Sequence, residues 1–186
     1  MSLAICAEYN FSLLTPFILN DRGFDTESTA IVMSVIGGLD IIFRFIVPFF
    51  SEHYKISARN MYSFALVLLV SSRTALIFSE SFNAVLTVAV ALGVAKGVRT
   101  VYMTIVIPNY VPIERLAAAS GIQMVTNGLL LIIFGPLTGV IRDISGSYNW
   151  CIAFINLMTT VTLTLWTIEA LVTAYIKRRR SRNEKQ

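Results

Sequence analysis

Six long apolar stretches, separated by short polar breaks, account for nearly the whole chain. They run approximately 2–19, 28–50, 61–79, 83–107, 115–141 and 149–176. A helix of roughly 20 apolar residues crosses a hydrocarbon core about 30 Å thick, so each stretch is a candidate span. The breaks, Asn20–Glu27, Ser51–Asn60, Ser79–Phe82, Pro108–Glu114 and Arg142–Tyr148, leave no room for a soluble domain. Period-2 strand patterns bounded by hairpin turns are absent, which leaves a β-barrel unsupported. The pattern predicts an all-α transmembrane helix bundle over residues 1–176 and a basic cytoplasmic tail over 177–186.

Composition agrees with the pattern. The 186 residues are 55% hydrophobic and 14% charged, with a mean hydropathy of +0.70. A soluble domain carries about 25% charged residues, so a polytopic membrane protein is expected, with the lipid bilayer as its surroundings. Cys6 and Cys151 lie in apolar segments and give neither a disulfide framework nor metal-ligand spacing. His53 is the single histidine and falls in a polar break, so no His-rich metal site is expected. The formal charge of +4 does not point to nucleic acid, because the excess sits in Lys177-Arg178-Arg179-Arg180-Ser181-Arg182. That run directly follows an apolar segment, as at a cytoplasmic stop. No secretory leader is expected: residues 1–7 lack a basic stretch and Glu8 interrupts the apolar run.

Cations also set the expected orientation. With six spans and the tail inside, the inner segments hold Lys55, Arg59, Arg115, Lys177, Arg178, Arg179, Arg180, Arg182 and Lys185. The outer breaks hold Arg22 and Arg142. This asymmetry follows the positive-inside rule and places both termini in the cytoplasm. A second regularity is internal. Gly37-Gly38 and Pro48 fall in the second span, and Gly128 and Gly135-Pro136 fall in the fifth. Gly/Pro positions in the second member of each group of three point to a three-plus-three transporter repeat.

Seven ionisable residues fall within spans: Glu8, Asp40, Arg44, Arg73, Lys96, Arg99 and Glu169. A charge at the centre of a spanning helix costs about 2.5–3.5 kcal/mol on insertion scales, so each calls for a reason. Asp40 and Arg44 are one turn apart, on one face, and able to pair. Two readings stand: a structural ion pair fixing helix register, or substrate and proton handling. Counting along the helices puts Glu8, Asp40, Arg44 and Lys96 at similar depth near the midplane, with Arg99 one turn further in. Lys96 is expected to face a cavity, whereas Arg99 either does the same or snorkels to the inner surface. Arg73 is expected to line an outer vestibule or snorkel outward, and Glu169 to pair with Lys177. Asn127 and Gln123 are candidates for pocket lining or interhelical hydrogen bonds. Four cations against three acids favour an anionic substrate. No phosphate-cradling loop, metalloprotease motif or serine–histidine–acid set appears, so no enzyme chemistry is expected.

Three segments carry a family resemblance. Gly38-Leu-Asp40-Ile-Ile-Phe-Arg44 resembles the Asp-x-x-x-Arg signature in the eighth helix of the monocarboxylate transporters, within the major facilitator superfamily. Val111-Pro-Ile-Glu-Arg115 followed by Ala119-Ser-Gly-Ile122 is similar to that family's inner loop and entry into the eleventh helix. Gly135-Pro136-Leu-Thr-Gly139-Val-Ile-Arg-Asp143 is similar to its Gly-Pro-x-x-Gly-x-x-x-Asp stretch. The resemblance implies that the six spans correspond to helices seven to twelve of a twelve-helix protein. It implies proton-linked monocarboxylate transport by alternating access, with Arg44 holding the substrate carboxylate and Asp40 its partner in proton coupling. No cofactor is implied beyond the proton as coupling ion. It further implies a missing N-terminal half or a second copy as partner, a single-span accessory glycoprotein in some relatives, and a plasma-membrane location. The sequence departs from the family in having Phe45 rather than proline after Arg44, with Pro48 one turn later. Lys96 and Arg99 match no family signature, so the substrate is open among small organic anions related to monocarboxylates. The reading from a different class is a truncated, non-transporting membrane protein that binds or regulates a full-length relative.

Overall fold

The computed structural model describes residues 2–54, 58–106 and 111–183. Six helices follow in chain order: α1 (Ser2–Asp21), α2 (Thr26–Tyr54), α3 (Ala58–Phe78), α4 (Phe82–Val106), α5 (Leu116–Ser145) and α6 (Tyr148–Asn183). A 3-10 turn, Ile113–Arg115, leads into α5. All six helices are long and apolar enough to cross a membrane. Lys55 and Lys185, counted above for orientation, lie outside the described residues, as do the side chains of His53 and of the basic tail.

Local chemistry sets the turns. Gly23, at φ +83°, closes the α1–α2 turn in a conformation that costs glycine nothing. Asp25 then caps α2, its Oδ1 accepting the Ser28 N–H at 3.0 Å. At the far end of α5, Gly146 takes the left-handed cap conformation and donates its N–H to Arg142 O at 2.8 Å. Three helices overrun the predicted ends of their spans by four residues or more. Helix α2 continues through Ser51-Glu52-His53-Tyr54, α5 through Arg142-Asp143-Ile144-Ser145 and α6 through Lys177–Asn183, because none of these segments contains a Gly or Pro to stop it. Pro16, Pro48 and Pro136 all lie inside helices, and Gly37-Gly38 and Gly128 leave α2 and α5 continuous. Bilayer helices tolerate such residues because neighbouring groups re-satisfy the freed backbone.

The most extensive packing is α2 on α4 and α3 on α4; α3 also packs on α6, and α1 runs between α2, α5 and α6. Two glycines set the α2–α4 approach. A Cβ at Gly93 would sit 2.7 Å from Leu39 Cβ and 2.9 Å from Ile36 O; one at Gly97 would sit 2.8 Å from Asp40 O and 2.8 Å from Phe43 Cβ. Gly93 and Gly97 thus form a small-x-x-x-small contact that lets two backbones nearly touch. The core includes the fully buried Tyr62, Leu66, Leu69, Val85, Ile152 and Ile155.

Polar clamps hold the two ends of the bundle. Arg22 donates to the carbonyls of Leu76, Ser79 and Ile77 at the end of α3, and to Asn149 Oδ1 at the start of α6. At the opposite end, Arg59 stacks 5.0 Å over Trp166, which lies 5.5 Å from the Tyr62 ring. Arg59 also pairs with Glu169 at 3.0 Å. Arg59 thus reaches the Glu169 carboxylate from a neighbouring helix; the side chain of Lys177, the partner expected for it, lies outside the described residues.

Exposure is inverted relative to a water-soluble protein. Ile41, Phe45 and Phe49 on α2, and Ile122, Met124, Ile132 and Ile144 on α5, stand outside. Glu8, Arg73, Arg99 and Asn10 are buried. Contiguous apolar surface on this scale belongs against lipid or another protein.

Candidate functional site

The intramembrane charges form two neighbouring groups on α1, α2, α3 and α4. The first lies on α2. Arg44 Nε donates to Asp40 Oδ1 at 2.9 Å and Nη2 donates to Oδ2 at 2.7 Å, a two-point contact across one helical turn. The planar guanidinium fork matches both carboxylate oxygens. Asp40's side chain is 9% exposed, whereas Arg44's is 45% exposed, so the carboxylate is anchored and the cation faces outward from the described bundle.

The second group is centred on Glu8 of α1. Arg73 of α3, fully buried, donates from Nη2 to Glu8 Oε2 at 2.5 Å and from Nη1 to Thr159 Oγ1 on α6 at 3.0 Å. The Phe11 ring covers the guanidinium at 4.8 Å. Lys96 of α4 approaches the other Glu8 oxygen, Oε1, at 3.9 Å and donates to Ser12 Oγ at 3.1 Å. Arg99 is buried deeper on α4, with Met103 Sδ at 4.0 Å from its Nη1 and no hydrogen-bond partner on its Nε among the described residues. Arg99 is thus enclosed by the bundle, with its guanidinium running along α4 toward Met103.

The expectation for Arg73 is corrected. A helical side chain tilts toward the N-terminus of its own helix, so an arginine near the end of α3 reaches back toward the bundle centre. Its Cα position alone suggested an outer vestibule. The Gly93–Gly97 contact was also missed, although its spacing stands in the sequence. Gln123 and Asn127 sit half-buried on α5, where Gln123 Nε2 and Asn127 Oδ1 have no hydrogen-bond partner among the described residues. The polar contact from α5 to α1 is instead made by Thr138, whose hydroxyl lies 3.4 Å from Asn10 Oδ1, with Gly135 O at 2.7 Å as its nearer acceptor.

Beside Lys96 is a cavity of about 130 Å³ between α1, α2 and α4. Glu8, Ser12, Thr15 and Lys96 supply its polar wall, and Phe11, Met33, Ile36 and Leu92 its apolar one. A larger groove of about 600 Å³ between α5 and α6 is lined by Ile144, Trp150, Phe154 and Leu157 and contains no ionisable side chain. Charge and cavity coincide only at the first of these two.

A bundle of six spanning helices with charges gathered at one level is a transporter-like arrangement, and sequence comparison agrees. A sequence model of the Major Facilitator Superfamily matches residues 1–186. The chain belongs to the Major Facilitator Superfamily. Members of this superfamily are membrane transporters, and the chain is accordingly a multi-pass integral membrane protein. Within the superfamily it is similar to monocarboxylate transporter 6 of Homo sapiens, at 24% identity over 128 residues. That match covers 68% of this chain and 25% of the relative, so the chain spans about a quarter of the relative's length.

Proposed function

We propose that this chain is the C-terminal six-helix half of a transporter for monocarboxylates or related small organic anions, linked to proton movement. The observation that carries the reading is the Asp40–Arg44 pair. A guanidinium at mid-span, anchored at two points and still 45% exposed, supports a role facing a second bundle and an aqueous cavity. Facing acyl chains, that charge would be costly. Facing water, it can exchange its intramolecular carboxylate for a substrate carboxylate. Asp40, released from the pair, would then take the coupling proton. Similarity to monocarboxylate transporter 6 supports the substrate class, and the superfamily supports alternating access between two bundles.

Similar considerations support a plasma-membrane protein with a cytoplasmic C-terminus, whose partner is either an N-terminal half or a second copy. The exposed apolar faces of α2 and α5 would pack against that partner. The test is uptake of labelled carboxylates by the complete protein in liposomes with an imposed proton gradient. Arg44→Lys and Arg44→Ala should abolish saturable uptake while membrane insertion is unchanged. Unaltered uptake would remove Arg44 from the mechanism. A wild-type protein with no saturable, pH-dependent flux would instead favour a non-transporting partner of a full-length relative.

A further inference from the structure

The buried charges do not balance locally. Asp40 is engaged at two points by Arg44, and Glu8 is held by Arg73 at 2.5 Å, so each acid already has an arginine. Lys96 is left over. Its Nζ stands 3.9 Å from the nearer Glu8 oxygen, beyond hydrogen-bond range, and its one hydrogen-bond acceptor among the described residues is the neutral Ser12 hydroxyl. An ammonium has three donors, so two remain for another acceptor. The Lys96 side chain is 25% exposed and borders the 130 Å³ cavity, which makes it the under-compensated cation with space beside it.

We propose that this cavity is a second carboxylate subsite, separate from Arg44 and built on Lys96 and Ser12. The assignment rests on the transport reading and adds to it a location and a size class. Lys96 would supply the charge. Ser12, whose oxygen accepts from Lys96, keeps its own hydroxyl hydrogen to donate to the second carboxylate oxygen. Glu8, neutralised by Arg73, stands close enough to hold Lys96 in place without cancelling it. Met33, Ile36 and Leu92 close the remaining wall with apolar surface, so the substrate's other end must be short and apolar. At about 30 Å³ of liquid volume per water, the cavity holds the equivalent of roughly four waters. That suits a carboxylate with a chain of a few carbons better than a long-chain acid. With a single cation on its wall, the cavity suits a monoanion and not a dianion.

The two subsites are neighbours. Gly97, next to Lys96, packs against the Asp40 carbonyl, so the Lys96 and Asp40–Arg44 groups lie at one level on adjacent helices. An anion could pass between them without changing depth.

The test is equilibrium binding of radiolabelled acetate, butyrate and octanoate to the complete purified protein in detergent at one pH. Two variants probe the subsite. Lys96→Ala removes the charge. Gly37→Leu fills the cavity from α2, at a position where an added Cβ meets nothing within 4 Å, so it should fold. Thermal unfolding of each variant checks folding. Acetate and butyrate should bind the wild type, and both variants should weaken them at least tenfold, with Lys96→Arg recovering part of the loss. Octanoate should bind weakly to all. Wild-type affinity for short acids in Gly37→Leu and in folded Lys96→Ala, with loss in Arg44→Ala, would overturn the subsite and leave the transport reading standing. A wild type that binds none of the three acids would overturn both.

Discussion

Arg73 and Glu8 make a buried ion pair across α3 and α1, with the guanidinium fully enclosed and the two groups 2.5 Å apart. Thr159 and the Phe11 ring also touch the guanidinium, whose Nε has no hydrogen-bond partner among the described residues. This pair joins three helices at the bundle centre and fixes the acid that Lys96 approaches. Removing one partner leaves an uncompensated buried charge, which typically costs 3–5 kcal/mol, whereas replacing both with apolar groups is often neutral. Arg73→Met and Glu8→Leu should therefore each lower the unfolding temperature in detergent strongly. The double variant should lose less than the sum of the two, and strictly additive losses would show the pair to be uncoupled.

The glycines of α4 and α2 differ in what they protect. Gly97→Ala drives a methyl into the Asp40 carbonyl and Phe43 Cβ, both within 2.8 Å, so α2 must move off α4. Overpacking of this kind costs about 1–3 kcal/mol. Gly37→Ala meets nothing within 4 Å and should be close to neutral. Thermal stability of the two variants, measured side by side, checks the contrast. Equal stability would mean that the α2–α4 contact is not close.

Arg22 gathers the carbonyl ends of α3 and the Asn149 side chain of α6. A lysine has one nitrogen where arginine presents a fork, so it cannot serve Leu76, Ser79 and Ile77 together. Arg22→Lys should destabilise the bundle nearly as much as Arg22→Ala, in contrast to an ordinary surface cation. Hydrogen exchange of the last turn of α3 should accelerate in both. Exchange that rises only in the alanine variant would assign the effect to charge alone.

Hydrogen bonding to Ser28 holds the Asp25 carboxyl below its ordinary value of 3.8. The folded state thus binds this proton less readily than the unfolded chain does. The contribution of the cap is present above pH 3.8 and is lost as the pH falls through the lower folded value. Asp25→Asn keeps a capping oxygen but does not titrate. Its stability profile should be flatter than wild type at acid pH and similar near neutrality. Parallel profiles would remove Asp25 from the acid response.

How much of this was legible beforehand depends on the scale of the question. Asp40–Arg44 was readable because a one-turn spacing determines which side chains can meet on a helix. Glu8–Arg73 was not, because its partners are separated by 65 positions and meet only after α1 and α3 have packed. Counting depth along α3 placed Arg73 by its Cα and ignored the backward tilt of its side chain. Gln123 and Asn127 were named for their polarity, yet the contact to α1 falls to Thr138, about three turns further along the same face of α5.

The sequence by itself determined the number of helices, their approximate ends and the Asp40–Arg44 pair. Hydrophobic length and helical period are local properties, and each span carries its own. Only the tertiary structure decided which acid each buried cation meets, that Lys96 is left with an incompletely matched charge, and that a small cavity opens beside it. Those outcomes depend on the rotation and spacing of helices against one another. The Gly93–Gly97 contact sets one of those spacings, and no single helix specifies the rest.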